Sequence, residues 1–553
     1  MKIFKFNSAY PSINDRRHTV ISSRQIGISR IAIHSIIFST MLSACGGGTS
    51  KAPGHFSDVS SQQACNLLNG KTVGEAAMQA TSVPMQAGTP AYCKVQGLIS
   101  PSLRFELRLP ERWNGKLHFW GGGGYNGFVQ PLTGANANAQ RPLVALKAGY
   151  ATVSTDSGHQ SASNRDASFA LNDAHAAELF GSLAVPTVMS SVVKALAQAY
   201  GSTPSRSYFE GCSNGGREAM INAQRFPELF DGIIARAPAY PWAALMGHFH
   251  TNMLALSKPG AMFSPAKVSL LAGHVRAACD ALDGVEDGVV SHTQACTAQL
   301  VNIQALRCKG GMEDGDSCLS DAQLAVVQEW TSDAQWPGTP GLRAAGWSLN
   351  GNEDGPSNWA TWLLGNGQVT QAIQYLYQDS TFKNYLAKNP GADSLRQGNW
   401  ERDPDALKML SRLNDATNPD LRPFLNRGGK FIMWHGTSDP AISKNLSLEY
   451  FRNMRNAVGT AQSDASTRLY LAPGVDHCNG GAGADSSDLL AALDRWVAQG
   501  AAPQTLLAEK LDGNGAPVLA RPLCAYPQYP RYVGPAADAA AARLASNYVC
   551  DRP

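Results

Sequence analysis

The sequence predicts an α/β protein: a largely parallel sheet covered by helices on both faces, with one long insertion. Three observations predict it. Apolar runs of strand length recur along the chain, helix-period segments separate them, and one block of about 160 residues breaks the rhythm. The strand-like runs, in order, are "KLHFW" (116–120), "GYATVSTD" (149–156), "SYFEG" (207–211), "DGIIARAPAY" (231–240), "KFIMWHG" (430–436) and "TRLYLAPG" (467–474). Between them lie "PTVMSSVVKALAQAYG" and "SSDLLAALDRWVAQG", whose apolar residues return every three to four positions. The exception runs from Trp242 to Asp403. It holds four Cys, many Trp and Gly and no clear strand series, and reads as a lid over the carboxyl ends of the strands. Within it "VSLLAGHVRAACDALDG" reads as a helix up to Asp280. The remaining halves, 61–241 and 404–553, form the main domain.

The N-terminus reads as an export signal. Lys2, Lys5, Arg16, Arg17, Arg24 and Arg30 precede an apolar run from Ile31 to Ala44, too short to cross a bilayer as a helix. It ends in Leu42-Ser43-Ala44-Cys45 and resembles a bacterial lipoprotein cleavage box, with Cys45 as the lipidated residue and 1–45 as the signal. Residues 46–60 are small and polar, a flexible tether. The expected location is therefore the outer membrane, the periplasm or the exterior, with membrane contact only through a lipid on Cys45. A net charge of +3 over 553 residues gives no reason to expect a nucleic-acid partner. Of 11 Cys, ten remain after Cys45, an even number that suits five disulfides in an oxidising compartment.

Chemistry enters at "SYFEGCSNGGREAM". Gly211-Cys212-Ser213-Asn214-Gly215 fits G-x-S-x-G, between a strand-like run and a helix-like one. That turn exposes a strained Ser, with small residues two before and two after so that the backbones pass closely. A nucleophilic Ser needs a base, and the base an orienting acid, in the chain order Ser, acid, His. Asp439 follows the strand "KFIMWHG" and His477 follows "TRLYLAPG", both at carboxyl ends where open α/β sheets place ligands. His435 precedes the acid in the same turn and reads as a support for that loop. Asp476 adjoins the base in sequence and is poorly placed to orient it. The oxyanion donors are the Asn214 N–H and one from "FWGGGGYNG", with Gly124 ahead of Gly123. If Ser213 and His477 meet, their neighbours Cys212 and Cys478 come close enough to consider a disulfide.

This "GCSxGG … HGxSD … HC" constellation resembles the tannase and feruloyl esterase family, which includes mono(2-hydroxyethyl) terephthalate hydrolases, from about Cys65 to Cys550. The resemblance implies an α/β-hydrolase fold with Ser213 as nucleophile, Asp439 as acid and His477 as base. It implies the bridges Cys212–Cys478, Cys65–Cys93, Cys279–Cys296, Cys308–Cys318 and Cys524–Cys550, the last three also suggested by sequence proximity. It further implies a structural Ca²⁺. "CDALDGVEDGVVSHTQAC" is acidic and glycine-containing, but no EF-hand, since Val285 and Gln294 stand where acidic ligands belong. The family pattern instead assigns carboxylates of Asp280, Asp283 and Asp287 and carbonyls of Val285 and Val289.

The expected function is an exported serine esterase acting on small aromatic esters of the feruloyl or galloyl type. Trp359, Trp362, Tyr375 and Tyr377 in the lid are candidates to wall an aromatic slot. The alternatives are a terephthalate-monoester hydrolase, an exported peptidase or acyltransferase on the same fold, and a silent binding protein. The terephthalate branch resembles this chain less at the lid: Gln368 to Tyr385 contains no Arg, and Ile442 follows the acid loop, although Lys383 offers a cation. Nothing in the sequence sets the oligomeric state.

Overall fold

"LRFELRLP" (103–110) alternates large apolar and polar residues along most of its length, the period of a strand with one face toward a core. It is one of four strands of the sheet that are not among the six runs above. The computed structural model describes residues 56–553 apart from 87, 133–136, 536, 537 and 539. The signal, Cys45 and tether residues 46–55 lie outside the described residues. At the end of that segment the Ser57 N–H bonds the Trp113 carbonyl at 2.7 Å and Ser60 caps the helix Ser61–Leu68.

Ten strands form one sheet: β1 (Thr72–Val73), β2 (Ala76–Val83), β3 (Tyr92–Ile99), β4 (Leu103–Pro110), β5 (Lys116–Trp120), β6 (Ala151–Thr155), β7 (Arg206–Cys212), β8 (Gly232–Arg236), β9 (Lys430–Gly436) and β10 (Thr467–Ala472). Their spatial order is β1-β2-β3-β4-β6-β5-β7-β8-β9-β10. From β6 to β10 every pairing is parallel. From β1 to β4, and from β4 to β6, every pairing is antiparallel. The sheet is thus mixed rather than largely parallel. The antiparallel meander needs no crossover helices, so a search for strand–helix alternation passes over it.

The central strands are buried on both faces, as their unbroken apolar runs require. Phe209, Ile233, Phe431 and Met433 join one core, and Tyr208, Ile234, Ile432 and Trp434 join the other. The helix Asn214–Arg225 feeds the first core through Ala219, Met220 and Ala223, and the helix Leu489–Gln499 feeds the second through Leu489, Leu493 and Trp496. Helices on both faces of a sheet in this order make an α/β-hydrolase fold.

Between β8 and β9 the described chain adds no strand to the main sheet; its only strands are the two-residue pair Ala334–Gln335 and Arg343–Ala344. The helix read up to Asp280 spans Pro265–Cys279 and continues as a 3₁₀ turn over Asp280–Asp283. The helix Trp242–Leu256 is buried on nearly every side, and Trp242, Leu245, Met246 and Phe249 belong to the first core. The insertion therefore shares the main core. Five disulfides join the ten cysteines in the five pairs expected.

Candidate functional site

The strand β7 ends at Cys212, the helix Asn214–Arg225 starts at Asn214, and Ser213 alone turns the chain between them. Its φ of 63° and ψ of −119° lie where a non-glycine residue is strained. Hydrogen bonds hold the strain: the Ser213 N–H donates to the Arg236 carbonyl at 3.0 Å, and the Ser213 carbonyl accepts from Arg217 and Ala239. A Cβ on Gly211 would stand 2.5 Å from the Gly215 backbone, and one on Gly215 would stand 2.8 Å from the Gly122 carbonyl. These close approaches explain the glycines two before and two after Ser213.

His477 and Asp439 meet: His477 Nδ1 lies 2.8 Å from Asp439 Oδ2. The other oxygen, Oδ1, accepts from the backbone N–H groups of Ala441 and Ile442 at 2.7 and 2.9 Å. Burial alone would raise this carboxyl, but the adjacent His477 and His435 override it and hold Asp439 well below the usual carboxylate range. His435, near the end of β9, supports the loop, with Nδ1 2.7 Å from Ser447 Oγ and Nε2 2.9 Å from the Ile442 carbonyl. Asp476 makes no hydrogen bond to the imidazole; its Oδ1 accepts from Asn358 Nδ2 at 2.8 Å and its Oδ2 is buried without a partner. Burial pushes Asp476 up to about 7, against the Asn358 hydrogen bond.

Ser213 and His477 line one cleft of about 340 Å³ together with Gly123, Gly124, Trp362 and Tyr377. The Cys212–Cys478 bridge, with Cα atoms 5.9 Å apart, joins the loops that carry them. Gly124 has a φ of 58°, and a Cβ there would lie 2.3 Å from the Asn164 carbonyl and 2.5 Å from the Tyr377 hydroxyl. Among the described residues its N–H makes no hydrogen bond, so it remains a free donor at the cleft wall. Asn214 is the first residue of its helix, whose N–H has no intrahelical acceptor.

Glu218 connects these two donor loops, and sequence reasoning missed it. Its Oε2 accepts from the Gly122 N–H at 3.1 Å, and its Oε1 from Asn126 Nδ2 at 2.8 Å and Asn214 Nδ2 at 3.2 Å. It lies one turn into the helix after Ser213, where a glutamate reads as a solvated face; only tertiary packing buries it to 5% exposure. Asn358, far away in sequence, gave no signal.

Of the four lid aromatics, Trp362 and Tyr377 line the cleft. Trp362 stands edge-on to His477, ring centroids 5.2 Å apart. Trp359 belongs to the core, packed on Trp330 and Phe263, and Tyr375 is half-buried away from the cleft. On its inner side Ser213 also borders a narrow apolar pocket shared with Leu245, Met246, Phe249 and Ile442. Lys383 is paired with Asp379 at 2.6 Å in a neighbouring pocket.

The acidic loop is built around two buried carboxylates. Asp280 Oδ2 accepts from the Gly288 N–H at 2.8 Å and Asp283 Oδ1 from the Val285 N–H at 3.2 Å, leaving Asp280 Oδ1 and Asp283 Oδ2 buried with no partner. Burial pushes Asp283 up to about 7. Asp287 is engaged instead, by Arg521, by Tyr548 and by the Val289 N–H. Among the described residues no three His, Cys, Asp or Glu side chains cluster as a metal site. The fit to Ca²⁺ thus rests on the two unpartnered carboxylate oxygens and neighbouring carbonyls, not on three free carboxylates.

The tannase and feruloyl esterase family model matches residues 87–550. A mono(2-hydroxyethyl) terephthalate hydrolase from Piscinibacter sakaiensis is 33% identical, over 88% of this chain and 89% of its own. A probable feruloyl esterase from Arthroderma benhamiae is 32% identical, over 77% and 79%. The structure of feruloyl esterase B from Aspergillus oryzae superposes with a TM-score of 0.73 at 23% identity, covering 89% of this chain and 100% of that one.

Proposed function

The chain belongs to the tannase and feruloyl esterase family, and from that premise we propose an exported serine esterase acting on aromatic esters of the feruloyl or galloyl kind. One observation carries the reading: a strained Ser213 and an Asp439-bound His477 share one cleft. In this mechanism Ser213 Oγ attacks the ester carbonyl carbon while His477 Nε2 takes its proton. The Gly124 and Asn214 N–H groups receive the oxyanion, and Glu218 keeps their two loops in register. Asp439 fixes the proton of His477 on Nδ1, so that Nε2 is the basic nitrogen. His477 then returns its proton to the leaving alcohol, and water activated by the same imidazole releases the acid from Ser213. Trp362 and Tyr377 supply flat apolar walls for an aromatic group. Five disulfides support export to an oxidising compartment.

A Ca²⁺ ion on the Asp280–Val289 loop is part of the proposal. Asp280 Oδ1 and Asp283 Oδ2 would hold it, with the Val285 and Val289 carbonyls beside them, and Asp287 would join only by releasing Arg521. The ion would stabilise the insertion and take no part in the reaction.

A second reading, hydrolysis of a terephthalate monoester, draws on the Piscinibacter relative. A panel of methyl ferulate, methyl gallate, a terephthalate monoester and p-nitrophenyl acetate separates the two. Ser213→Ala is expected to lower turnover of every hydrolysed member by about 10⁵–10⁶-fold. Retained turnover in that variant would sink the mechanism.

A further inference from the structure

The two loops that carry Asp439 and His477 each place a buried acceptor one residue before the triad member. The Ser438 carbonyl precedes Asp439, and the Asp476 carboxylate precedes His477; the two residues are 1% and 3% exposed. Among the described residues, the Ser438 carbonyl and Asp476 Oδ1 have one hydrogen-bond partner each, and it is the same atom. Asn358 Nδ2 lies 2.8 Å from the Ser438 carbonyl and 2.8 Å from Asp476 Oδ1. Two acceptors face one amide, so the end turned toward them is the nitrogen, with one N–H for each. Asn358 belongs to neither loop. It stands in the insertion, fully buried, 80 residues from Ser438 and 118 from Asp476.

This bridge replaces the side chain's usual task. Asn358 precedes the helix Trp359–Trp362, where an asparagine ordinarily turns its oxygen onto the first backbone N–H groups. Here it makes no such bond. Its backbone carbonyl instead accepts from the Trp362 N–H at 3.0 Å, within the turn that sets Trp362 edge-on to His477. A change of side chain leaves that carbonyl in place, so the amide bridge can be removed by itself. The loops also have a backbone tie, from the Ser438 N–H to the Val475 carbonyl at 3.0 Å, but it joins them one residue further from His477. The Cys212–Cys478 bridge grips the residue after His477, and Asn358 grips the residue before it.

We propose that Asn358 is a positioning residue for the reaction: from the insertion it clamps the acid loop to the base loop and so fixes Asp439 against His477. The inference rests on the esterase reading above. Asn358 touches no substrate and moves no proton. Its two N–H groups hold the residues before Asp439 and His477 at one spacing, and that spacing sets the angle at which the imidazole faces Ser213. The insertion thereby completes the triad as well as walling the cleft. Without the amide, a buried carbonyl and a buried carboxylate lose their partner together, and both loops shift to regain one.

The test is a cycle of four enzymes: wild type, Asn358→Ala, Asp439→Asn and the double variant. The readouts are kcat and KM on the best ester of the panel, with kcat normalised to the folded fraction from thermal melts. Asn358→Ala is expected to lower kcat by about 10–100-fold while KM changes by less than about threefold. In the Asp439→Asn background the same change should cost less than about threefold, because the imidazole is already misplaced and residues acting as a unit are not additive. A merely structural asparagine would cost the same in both backgrounds. Asn358→Ser, whose single O–H reaches one acceptor at a time and leaves room for water, should lose less than Asn358→Ala and carries the cycle if the alanine variant does not fold. Unchanged kcat, or an equal loss with and without Asp439, overturns the clamp and leaves the esterase reading standing. A wild type that cleaves no ester of the panel overturns both.

Discussion

Asp439 and Asp283 are two carboxylates of one chain, 3% and 1% exposed, with opposite fates. Burial raises both. At Asp439 both oxygens have partners, and the His477 and His435 imidazoles beside Oδ2 make the charged form win. At Asp283 one oxygen has a backbone N–H and the other has no partner; burial, with the like charges of Asp287 and Asp280 beside it, pushes the acid up to about 7. Depth is similar; the neighbouring charges and the completeness of the partners are not. The first site is finished by protein atoms, whereas the second leaves one carboxylate oxygen without a partner. Asp476 falls between them, with one oxygen on Asn358 and the other unpartnered.

The comparison can be broken first at its finished member. Asp439→Asn should leave the fold intact and lower kcat by about 10⁴-fold, because the amide no longer holds the imidazole in its useful tautomer. Steady-state kinetics with the best ester of the panel checks this, and a loss below tenfold would show that His477 is oriented by something else.

The next test completes the unfinished member. If Ca²⁺ sits on Asp283, calcium at about a hundred times its Kd should stabilise the protein by about 2.7 kcal/mol relative to chelator. A calorimetric scan would show the higher Tm with calcium, and Asp283→Asn should erase most of the difference. Identical scans with calcium and with chelator would remove the ion from the account.

The smallest effect belongs to Asp476. Its folded value of about 7 stands above its ordinary 3.8, so the folded chain keeps a proton that the unfolded chain gives up. The resulting stabilisation is full below about pH 4 and is lost as pH rises toward about 7. Asp476→Asn cannot titrate, so the stability gap between variant and wild type should change across that window by on the order of 2 kcal/mol. Denaturant melts at pH 4 and pH 7 measure it; parallel curves would mean that Asp476 ionises freely.

Much of the site was legible because its chemistry constrains neighbours in sequence. Gly211, Ser213 and Gly215 lie within five residues, and Asp439 and His477 each follow a strand that periodicity reveals. The pairing of the cysteines beside Ser213 and His477 was legible only on the premise that those two residues meet, and from the family resemblance. What escaped notice depends on distant packing. Glu218 and Asn358 become buried only when the Gly121–Asn126 loop and the insertion close over them. Trp359 and Trp362 sit three residues apart on one short helix, and nothing local says that one enters the core and the other the cleft. The antiparallel strands β2 to β4 were missed for a different reason: their period-two pattern is present, but hairpin-linked strands carry no intervening helix to announce them.

The bridge between positions 212 and 478 ties together parts of the chain separated by 266 residues. Synthesis reaches the hydroxyl-bearing half long before the imidazole-bearing half exists, so this covalent link is available only once the sheet has gathered both. In a reducing environment the chain would lack this clasp, and would gain it only where thiols are oxidised.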